Sequence, residues 1–195
     1  MKFETNKSYY IQASRRCGKT TLLSKILVKN IIKNLKSKEE LTFMVISFSL
    51  PSLNNLKVMV EKELTKKLTK DKELALTIFN KTYIHVNNIK IVFSLKGNNT
   101  RNCPNHIYID DVEFFTTADL NSIYRGNLST IVMTSTSQPL SINTWFYKDL
   151  DFVGITIPLT KNLAKQRGID VQAIKNSLPI SNFNSEIKLG LYYDI

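Results

Sequence analysis

The segment QASRRCGKTT at residues 12–21 constrains the fold more than any other part of the sequence. The strand-like run SYYIQ leads into it, and behind it apolar residues recur at helical spacing to about Lys36. A strand, a G-K-T loop and a helix in this order are typical of a phosphate-binding loop, in which backbone N–H groups and the helix N-terminus surround phosphate oxygens. The pattern therefore predicts a nucleotide site rather than an ordinary strand-to-helix turn.

The loop departs from the usual G-x-x-x-x-G-K-[ST] pattern, because Ala13 replaces the first glycine. Alanine keeps the side chain small, so the loop can still form provided that residue 13 does not need a positive φ. We expect Lys19 to reach the β and γ phosphate oxygens of a nucleotide and the Thr20 hydroxyl to ligate Mg²⁺. The expected nucleotide contacts are Ala13, Ser14, Arg15, Arg16, Cys17, Gly18, Lys19, Thr20 and Thr21.

Two adjacent arginines, Arg15 and Arg16, occupy the middle of this loop. An arginine at the γ-phosphate stabilises charge in the transition state and can raise the rate by about 10³–10⁵-fold. Either residue could act in this catalytic role within its own chain, and contact with DNA phosphates or a carboxylate is the alternative. Arg101 and Arg125 are further candidates, supplied from other loops.

A second motif, HIYIDDVEFF at residues 106–115, places two carboxylates at the end of an apolar strand. Two buried carboxylates side by side are unfavourable unless they share a cation or a proton. We expect Asp110 to hold Mg²⁺, directly or through water, and Asp111 to orient or deprotonate the attacking water. An exposed Asp-Asp turn would be the better interpretation of this motif alone, but the loop at 13–20 favours the catalytic one.

A third motif, STIVMTSTSQP, is an apolar strand that ends in the hydroxyl residues Thr134, Ser135 and Thr136. Side chains at the end of a central strand lie beside the nucleotide in sheets of this kind, so these hydroxyls could sense the γ-phosphate. A hydroxyl-rich turn before Pro139 is the alternative.

The order of strand-like and helix-like segments predicts an α/β fold. TFMVISFS at 42–49 reads as a strand buried on both faces, and a second helix opens at Pro51. The runs KTYIHV and IKIVFSL around Asn87-Asn88 predict a hairpin. We therefore expect one mainly parallel sheet flanked by helices, to which the hairpin adds an antiparallel edge.

Composition narrows the class of protein. A chain of 195 residues fits one domain. No apolar stretch is long enough to cross a membrane and the N-terminus lacks the apolar centre of a signal peptide, so we expect a soluble, intracellular protein. A net charge of +11 favours a nucleic-acid partner, although richness in Lys, Asn and Ile can by itself produce many lysines. Cysteines and histidines lack the spacing of a zinc site.

These motifs resemble those of large terminase subunits, the DNA-packaging motors of tailed bacteriophages and herpesviruses. SRRCGKTT resembles the family's phosphate loop, often R-R-x-G-K-[ST], in which an arginine-bearing loop replaces the glycine-opened form. IYIDDVEFF resembles the family's acidic strand and MTSTSQP its coupling motif. TWFYKDLDFVGITIP and NFNSEI resemble segments that lead through its lid subdomain, so the resemblance covers nearly the whole chain.

The resemblance implies a P-loop NTPase fold of the RecA/ASCE-like type with three layers, a core at 1–150 and a small lid segment at 151–195 packed on the same domain. It implies Mg²⁺-dependent ATP hydrolysis that powers viral DNA packaging in the cytoplasm of an infected cell. It also implies double-stranded DNA, a portal or procapsid, a small terminase-like or nuclease partner, and ring assembly. Thr134, Ser135 and Thr136 would be its coupling residues.

Two departures from the family pattern matter. The family usually has Asp-Glu where this chain has Asp110-Asp111. Aspartate is one methylene shorter than glutamate and so reaches less far toward the attacking water. Glu113 is a candidate to compensate for the missing glutamate, although it occupies a different position. Full-size members also carry a C-terminal nuclease with clustered carboxylates. We expect no nuclease activity here, because the acidic residues after 150 are few and scattered, namely Asp151, Asp170, Glu186 and Asp194.

Three other functions stay open at this point. The same motif order would serve another nucleic-acid-dependent ATPase, such as one core of a helicase, although a helicase usually needs a second core. A small nucleoside or nucleotide kinase suits the length, but its loop normally keeps the first glycine. Asp111 in place of glutamate also fits a nucleotide-binding, DNA-binding subunit with little turnover.

Overall fold

A computed structural model of the chain describes residues 3–4, 7–14, 17–69, 77–79, 82–97, 104–124, 130–136, 152–157, 161–166, 168–170, 172–173 and 176. The strands are β1 Tyr9–Ala13, β2 Leu41–Ser47, β3 Thr77–Phe79, β4 Tyr83–Val86, β5 Ile89–Leu95, β6 His106–Asp110, β7 Thr130–Ser135 and β8 Val153–Ile157. The helices are α1 Lys19–Asn34, α2 Leu50–Leu68, α3 Thr117–Tyr124 and α4 Lys161–Gln166, and a 3₁₀ turn covers Val112–Phe114.

The eight strands form one sheet in the order β3-β4-β5-β2-β6-β7-β1-β8. All neighbours from β5 to β8 pair in parallel, whereas β4 runs antiparallel to both β3 and β5. The β4–β5 hairpin turns at Asn87 and Asn88, and Asn87 has a φ of 51°. The prediction of a mainly parallel sheet with an added antiparallel hairpin is therefore confirmed.

Helices cover both faces of the sheet because β2 is apolar on both sides. Phe43 and Val45 point into a core shared with α1 and α2, while Met44 and Ile46 point into a second core. That second core includes Leu120 of α3 and the 3₁₀ turn. Such continuous apolar runs are what a parallel strand between two helix layers requires, and the three-layer prediction holds.

The two long helices follow directly from their sequence patterns. The face of α1 that carries Leu23, Leu27 and Ile31 is buried, while Lys25 and Lys29 are exposed. This helix ends at Asn34 rather than near the predicted Lys36. In α2, the Ser49 side chain accepts a hydrogen bond from the backbone N–H of Ser52 at 3.4 Å, and this cap starts the helix close to the predicted position.

The strand-like segment after residue 150 belongs to the same sheet. β8 pairs in parallel with β1 along its whole length, and the Ile157 carbonyl accepts the backbone N–H of Ser14 at 3.1 Å. The division between a core at 1–150 and a lid at 151–195 stays a prediction. Within the described residues, no helix is long and apolar enough to span a membrane.

Candidate functional site

The strands β2, β6, β7 and β1 are parallel neighbours, so their carboxyl ends share one edge of the sheet, and the predicted site residues that the structure describes lie there. Strand alternation decides which side chains face α1. Tyr108 and Val132 belong to the core beneath α1 and α2, so Asp110 and Thr134, two residues further along, project to the same side. The loop before α1 lies at this edge as well, because it follows β1.

The backbone of the loop is described at Ala13, Ser14, Cys17 and Gly18. Ala13 is buried, and positive φ values outside glycine are confined, within the described residues, to Asn87 and Asp111. Alanine therefore occupies position 13 without the strain that a left-handed conformation would cause. Gly18 caps α1 with a φ of 79° and a ψ of 40°, where a side chain would be unfavourable. The first free N–H groups of α1 follow directly.

Lys19 joins three parts of the site. Its ammonium donates a hydrogen bond to the Thr136 hydroxyl at the end of β7. The same nitrogen lies 3.4 Å from an Asp111 carboxylate oxygen, and both side chains are largely buried. Lys19 thus links the start of α1 to the ends of β6 and β7.

Asp110 is at the centre of a hydrogen-bonded group. It is fully buried; the Thr20 hydroxyl donates to its Oδ2 at 3.0 Å, and the Thr134 hydroxyl donates to its Oδ1 at 2.7 Å. Burial, followed by the negative charge of Asp111, raises the pKa of Asp110 to about 6, and the two hydroxyl donors oppose the rise. The positive charge of Lys19 opposes the rise as well, and the carboxylate is mostly ionised at neutral pH.

Asp111 adopts a left-handed backbone conformation with a φ of 53°. Its backbone N–H donates to the Thr134 hydroxyl at 3.3 Å, and the 3₁₀ turn starts immediately after it. Non-glycine residues in this conformation cluster at functional sites, where the surrounding structure holds them. The turn places the Asp111 carboxylate beside Lys19 rather than in the line of the strand.

Two further polar groups at this edge, Glu113 and Ser47, each have a buried oxygen. One oxygen of Glu113 accepts the backbone N–H of Thr136 at 3.0 Å, and the other is buried with no hydrogen-bond partner in the described part of the chain. Ser47, at the end of β2, is fully buried, and its hydroxyl also lacks a partner there. The sequence offers a weak signal for Ser47, a small polar residue within an apolar run.

The remaining predicted residues differ in what the structure says of them. Arg15, Arg16, Arg101 and Arg125 lie outside the described residues, so the arginine hypotheses stay predictions. The Thr21 hydroxyl donates to the Met59 sulfur of α2 at 3.9 Å, so any contact of Thr21 with a nucleotide would come from its backbone. Ser135 is buried and alternates to the opposite face from Thr134, whereas Thr136 contacts Lys19.

The residues that are present suit a magnesium nucleotide. A threonine hydroxyl and a carboxylate supply hard oxygen ligands of the kind Mg²⁺ prefers, and the negative charges of the buried Asp110 and the adjacent Asp111 favour a cation beside them. Lys19 and the N-terminus of α1 supply positive charge for phosphate oxygens.

The loop after β1 and the acidic end of β6, in a parallel sheet between two helix layers, define a P-loop NTPase fold. Solved structures bear this out. The chain resembles the large terminase ATPase domain of Thermus phage P74-26 with a TM-score of 0.69 and 11% identity, over 96% of this chain and 92% of that one. It also resembles the large terminase of bacteriophage HK97 with a TM-score of 0.63 and 13% identity, over 94% of this chain and 46% of that one.

A third match is the large terminase of a thermophilic bacteriophage in complex with ATP-γ-S, with a TM-score of 0.63 and 12% identity, over 96% of this chain and 48% of that one. The chain thus spans about half the length of the longer large terminases that it matches. No protein-family model and no curated protein matches the sequence. At these identities the similarity establishes the fold of terminase ATPase domains.

Proposed function

We propose that the chain is the ATPase domain of a viral DNA-packaging motor of the large-terminase type, which hydrolyses ATP with Mg²⁺ and moves double-stranded DNA. The contact between Thr20 and Asp110 carries the proposal, because it joins the start of α1 to the end of β6 at 3.0 Å. Two residues 90 positions apart in the chain thus meet at the point where one magnesium ion could be held by both. Similarity to a terminase ATPase domain supports the proposal.

The loop residues would bind the nucleotide. Backbone N–H groups around Gly18 would surround the phosphates, and the Lys19 ammonium would exchange its contacts with Asp111 and Thr136 for phosphate oxygens. Thr20 and Asp110 would hold the magnesium ion. When bound, that ion would supply positive charge to the transferring phosphoryl group.

Asp111 would orient or deprotonate the attacking water, the role that glutamate usually has in the family that the sequence resembles. Its left-handed backbone turns the shorter side chain toward Lys19, and hence toward the expected position of the phosphates. Arg15 or Arg16 would stabilise charge in the transition state.

The end of β7 would relay the state of the nucleotide. Thr134 contacts both the Asp110 carboxylate and the Asp111 backbone N–H. Thr136 contacts Lys19 through its hydroxyl and Glu113 through its backbone N–H. A nucleotide that displaces Lys19 would therefore act directly on Thr136, and Thr134, Ser135 and Thr136 would couple hydrolysis to movement of the lid segment.

The partners in this proposal are double-stranded DNA, a portal or procapsid, a small terminase-like or nuclease partner, and further copies of the chain in a ring. Exposed lysines such as Lys25 and Lys29 would bind DNA phosphates without reading sequence, with an affinity that falls steeply as salt rises. The setting would be the cytoplasm of an infected cell. Nuclease activity is not expected of this chain.

The decisive measurement is ATP hydrolysis and nucleotide binding, with and without duplex DNA, for the parent chain and Lys19→Ala. We expect DNA to stimulate hydrolysis in the parent, and Lys19→Ala to lose binding or turnover. Lys25→Ala, which removes an exposed lysine of the same helix, should keep the DNA-free rate. A Lys19→Ala variant that hydrolyses ATP at the parental rate would contradict the loop assignment.

Other outcomes separate the alternatives. Nucleotide binding without turnover, with or without DNA, would favour a DNA-binding subunit that has lost hydrolysis. Strand separation of a duplex would favour a helicase-like ATPase. Phosphate transfer to a nucleoside would favour a kinase.

A further inference from the structure

Ser47 is a buried hydroxyl at the end of β2 whose burial needs an explanation. Its side chain is fully buried, and its oxygen has no hydrogen-bond partner in the described part of the chain. Its backbone carbonyl accepts the N–H of Lys96 at 3.0 Å, so the main chain at this point is fixed. Buried polar groups almost always have partners, and one that lacks a protein partner is a candidate for contact with water or a ligand.

The register of the sheet places Ser47 beside the predicted magnesium site. Ser47 and Asp110 are directly paired across the parallel strands β2 and β6, which lie about 4.8 Å apart in any sheet. Val45 and Tyr108, two residues earlier in each strand, both face the core beneath α1 and α2. Ser47 and Asp110 therefore project to the same side, toward the end of α1 that carries Thr20.

Ser47 does not take part in the hydrogen bonds that hold Asp110. One oxygen of that carboxylate accepts the Thr20 hydroxyl and the other accepts the Thr134 hydroxyl. Within the described residues, Ser47 thus adds an unused donor and acceptor on the β2 side of Asp110, whereas Thr134 lies on the β7 side. A solvated ion held at Asp110 would have this hydroxyl beside it on the β2 side.

We propose that the Ser47 hydroxyl hydrogen-bonds a water molecule of the magnesium shell at Asp110 and is a positioning residue of the site. The inference rests on the proposed function, because it requires a magnesium nucleotide there. Mg²⁺ gives up its waters reluctantly and usually keeps several of them when it binds a protein. Those waters need acceptors, and groups around the direct ligands typically change metal affinity by about 10–100-fold.

Ser24 supplies a matched control. It is also fully buried, on the same side of the sheet, but its hydroxyl donates to the Thr21 carbonyl at 2.9 Å. Replacing Ser24 by alanine removes a hydrogen bond of the folded protein, whereas replacing Ser47 removes a hydroxyl that has no partner within the described residues. The two substitutions delete the same atom and should differ in both stability and metal dependence.

The experiment compares the parent chain, Ser47→Ala and Ser24→Ala. Binding of a fluorescent, non-hydrolysable ATP analogue is titrated with Mg²⁺, and thermal unfolding is followed with EDTA and without nucleotide. We expect Ser47→Ala to raise the Mg²⁺ midpoint about tenfold, with a Tm that is unchanged or higher by about 2–4 °C. Ser24→Ala should lower the Tm and leave the midpoint close to the parental value.

Each other outcome decides against the inference. An Mg²⁺ midpoint for Ser47→Ala within about twofold of the parental value would overturn it, since groups that hold the ligands or waters of a metal have larger effects. A fall in Tm like that of Ser24→Ala would overturn it too, because the hydroxyl would then have a structural partner. If the parent chain shows no Mg²⁺-dependent nucleotide binding, the proposed function fails, and the inference about Ser47 fails with it. If the parent chain does bind nucleotide in an Mg²⁺-dependent way and Ser47→Ala has the same Mg²⁺ midpoint, the inference about Ser47 fails while the proposed function stands.

Discussion

Replacing Asp110 by asparagine should stabilise the protein in the absence of ligands and, on the proposed function, should abolish Mg²⁺-dependent ATP hydrolysis. Asp110 is fully buried between the Thr20 and Thr134 hydroxyls, and burial raises its pKa from 3.8 to about 6. A carboxyl group whose pKa is raised by folding makes the folded state less stable at every pH at which the group is ionised in both the folded and the unfolded protein. A rise of about 2 pKa units corresponds to about 3 kcal/mol, since each unit is about 1.4 kcal/mol. Asparagine keeps the shape and removes the charge; its oxygen can accept the Thr134 hydroxyl, while its amide nitrogen donates to the Thr20 hydroxyl, which turns from donor to acceptor.

The sign of the pH dependence follows from the same shift. Above about pH 7, Asp110 is ionised in both states, and the full penalty is present. As the pH falls through 6, the folded protein takes up the proton before the unfolded chain does, so the penalty shrinks and has largely gone below 3.8. The advantage of Asp110→Asn should thus be greatest at pH 8 and close to zero at pH 4.

The assay is urea unfolding of the parent and Asp110→Asn between pH 4 and pH 8, with EDTA and without nucleotide. We expect a difference of about 2–3 kcal/mol at pH 8, or an increase in Tm of about 5–10 °C in a chain of this size. Other carboxylates titrate in both proteins, so the difference between them isolates Asp110. A variant less stable than the parent at pH 8, or a difference that does not change with pH, would refute the reasoning.

Three further predictions test other parts of the structure. Thr20→Val should raise the Mg²⁺ concentration needed for nucleotide binding about tenfold or more. Thr21→Val, which removes a hydroxyl that contacts the Met59 sulfur, should change that concentration far less. Equal effects of the two substitutions would show that Thr20 is not part of the metal site. Tyr108→Phe should lower the free energy of unfolding in urea by about 1–3 kcal/mol, because it leaves the buried Asn30 amide without the phenol oxygen that it contacts at 2.5 Å. An unchanged urea midpoint would show that this hydrogen bond does not contribute to stability. Incubation with supercoiled plasmid and Mg²⁺ or Mn²⁺ should leave the plasmid intact, and metal-dependent nicking that copurifies with the chain would contradict the expected absence of nuclease activity.

Much of the fold could be predicted because its signals are local. The apolar stripe of α1, the two-sided apolar run of β2 and the Asn87–Asn88 turn each depend on residues close together in the chain. Parallel strands then bring their carboxyl ends to one edge, so the meeting of Thr20 with Asp110 could be anticipated from motif order. The sequence motif did not separate Ser135 from Thr134 and Thr136, whereas alternation along β7 turns Ser135 to the opposite face.

The parts that could not be predicted depend on register between distant strands. Ser47 lies opposite Asp110 because of the register in which β2 pairs with β6. A shift of that register by one residue would turn the Ser47 side chain to the other face of the sheet. The contact of Glu113 with Thr136 likewise depends on the left-handed turn at Asp111, which no local pattern around Asp-Asp indicates. The sequence suggested that Glu113 could compensate for a missing glutamate; the structure shows it attached to the end of β7.

The hydrogen bond from Ser14 to the Ile157 carbonyl ties the entrance of the phosphate loop to the last residue of an edge strand. Within the described residues, β8 lies at the edge of the sheet and pairs with β1 alone, so it is the member of the parallel set that can be peeled away with the fewest broken bonds. Tension applied to the chain beyond Ile157 would be felt first at Ser14. In the proposed motor, a mechanical load on β8 would reach the loop after β1 through Ser14 and not through the helices.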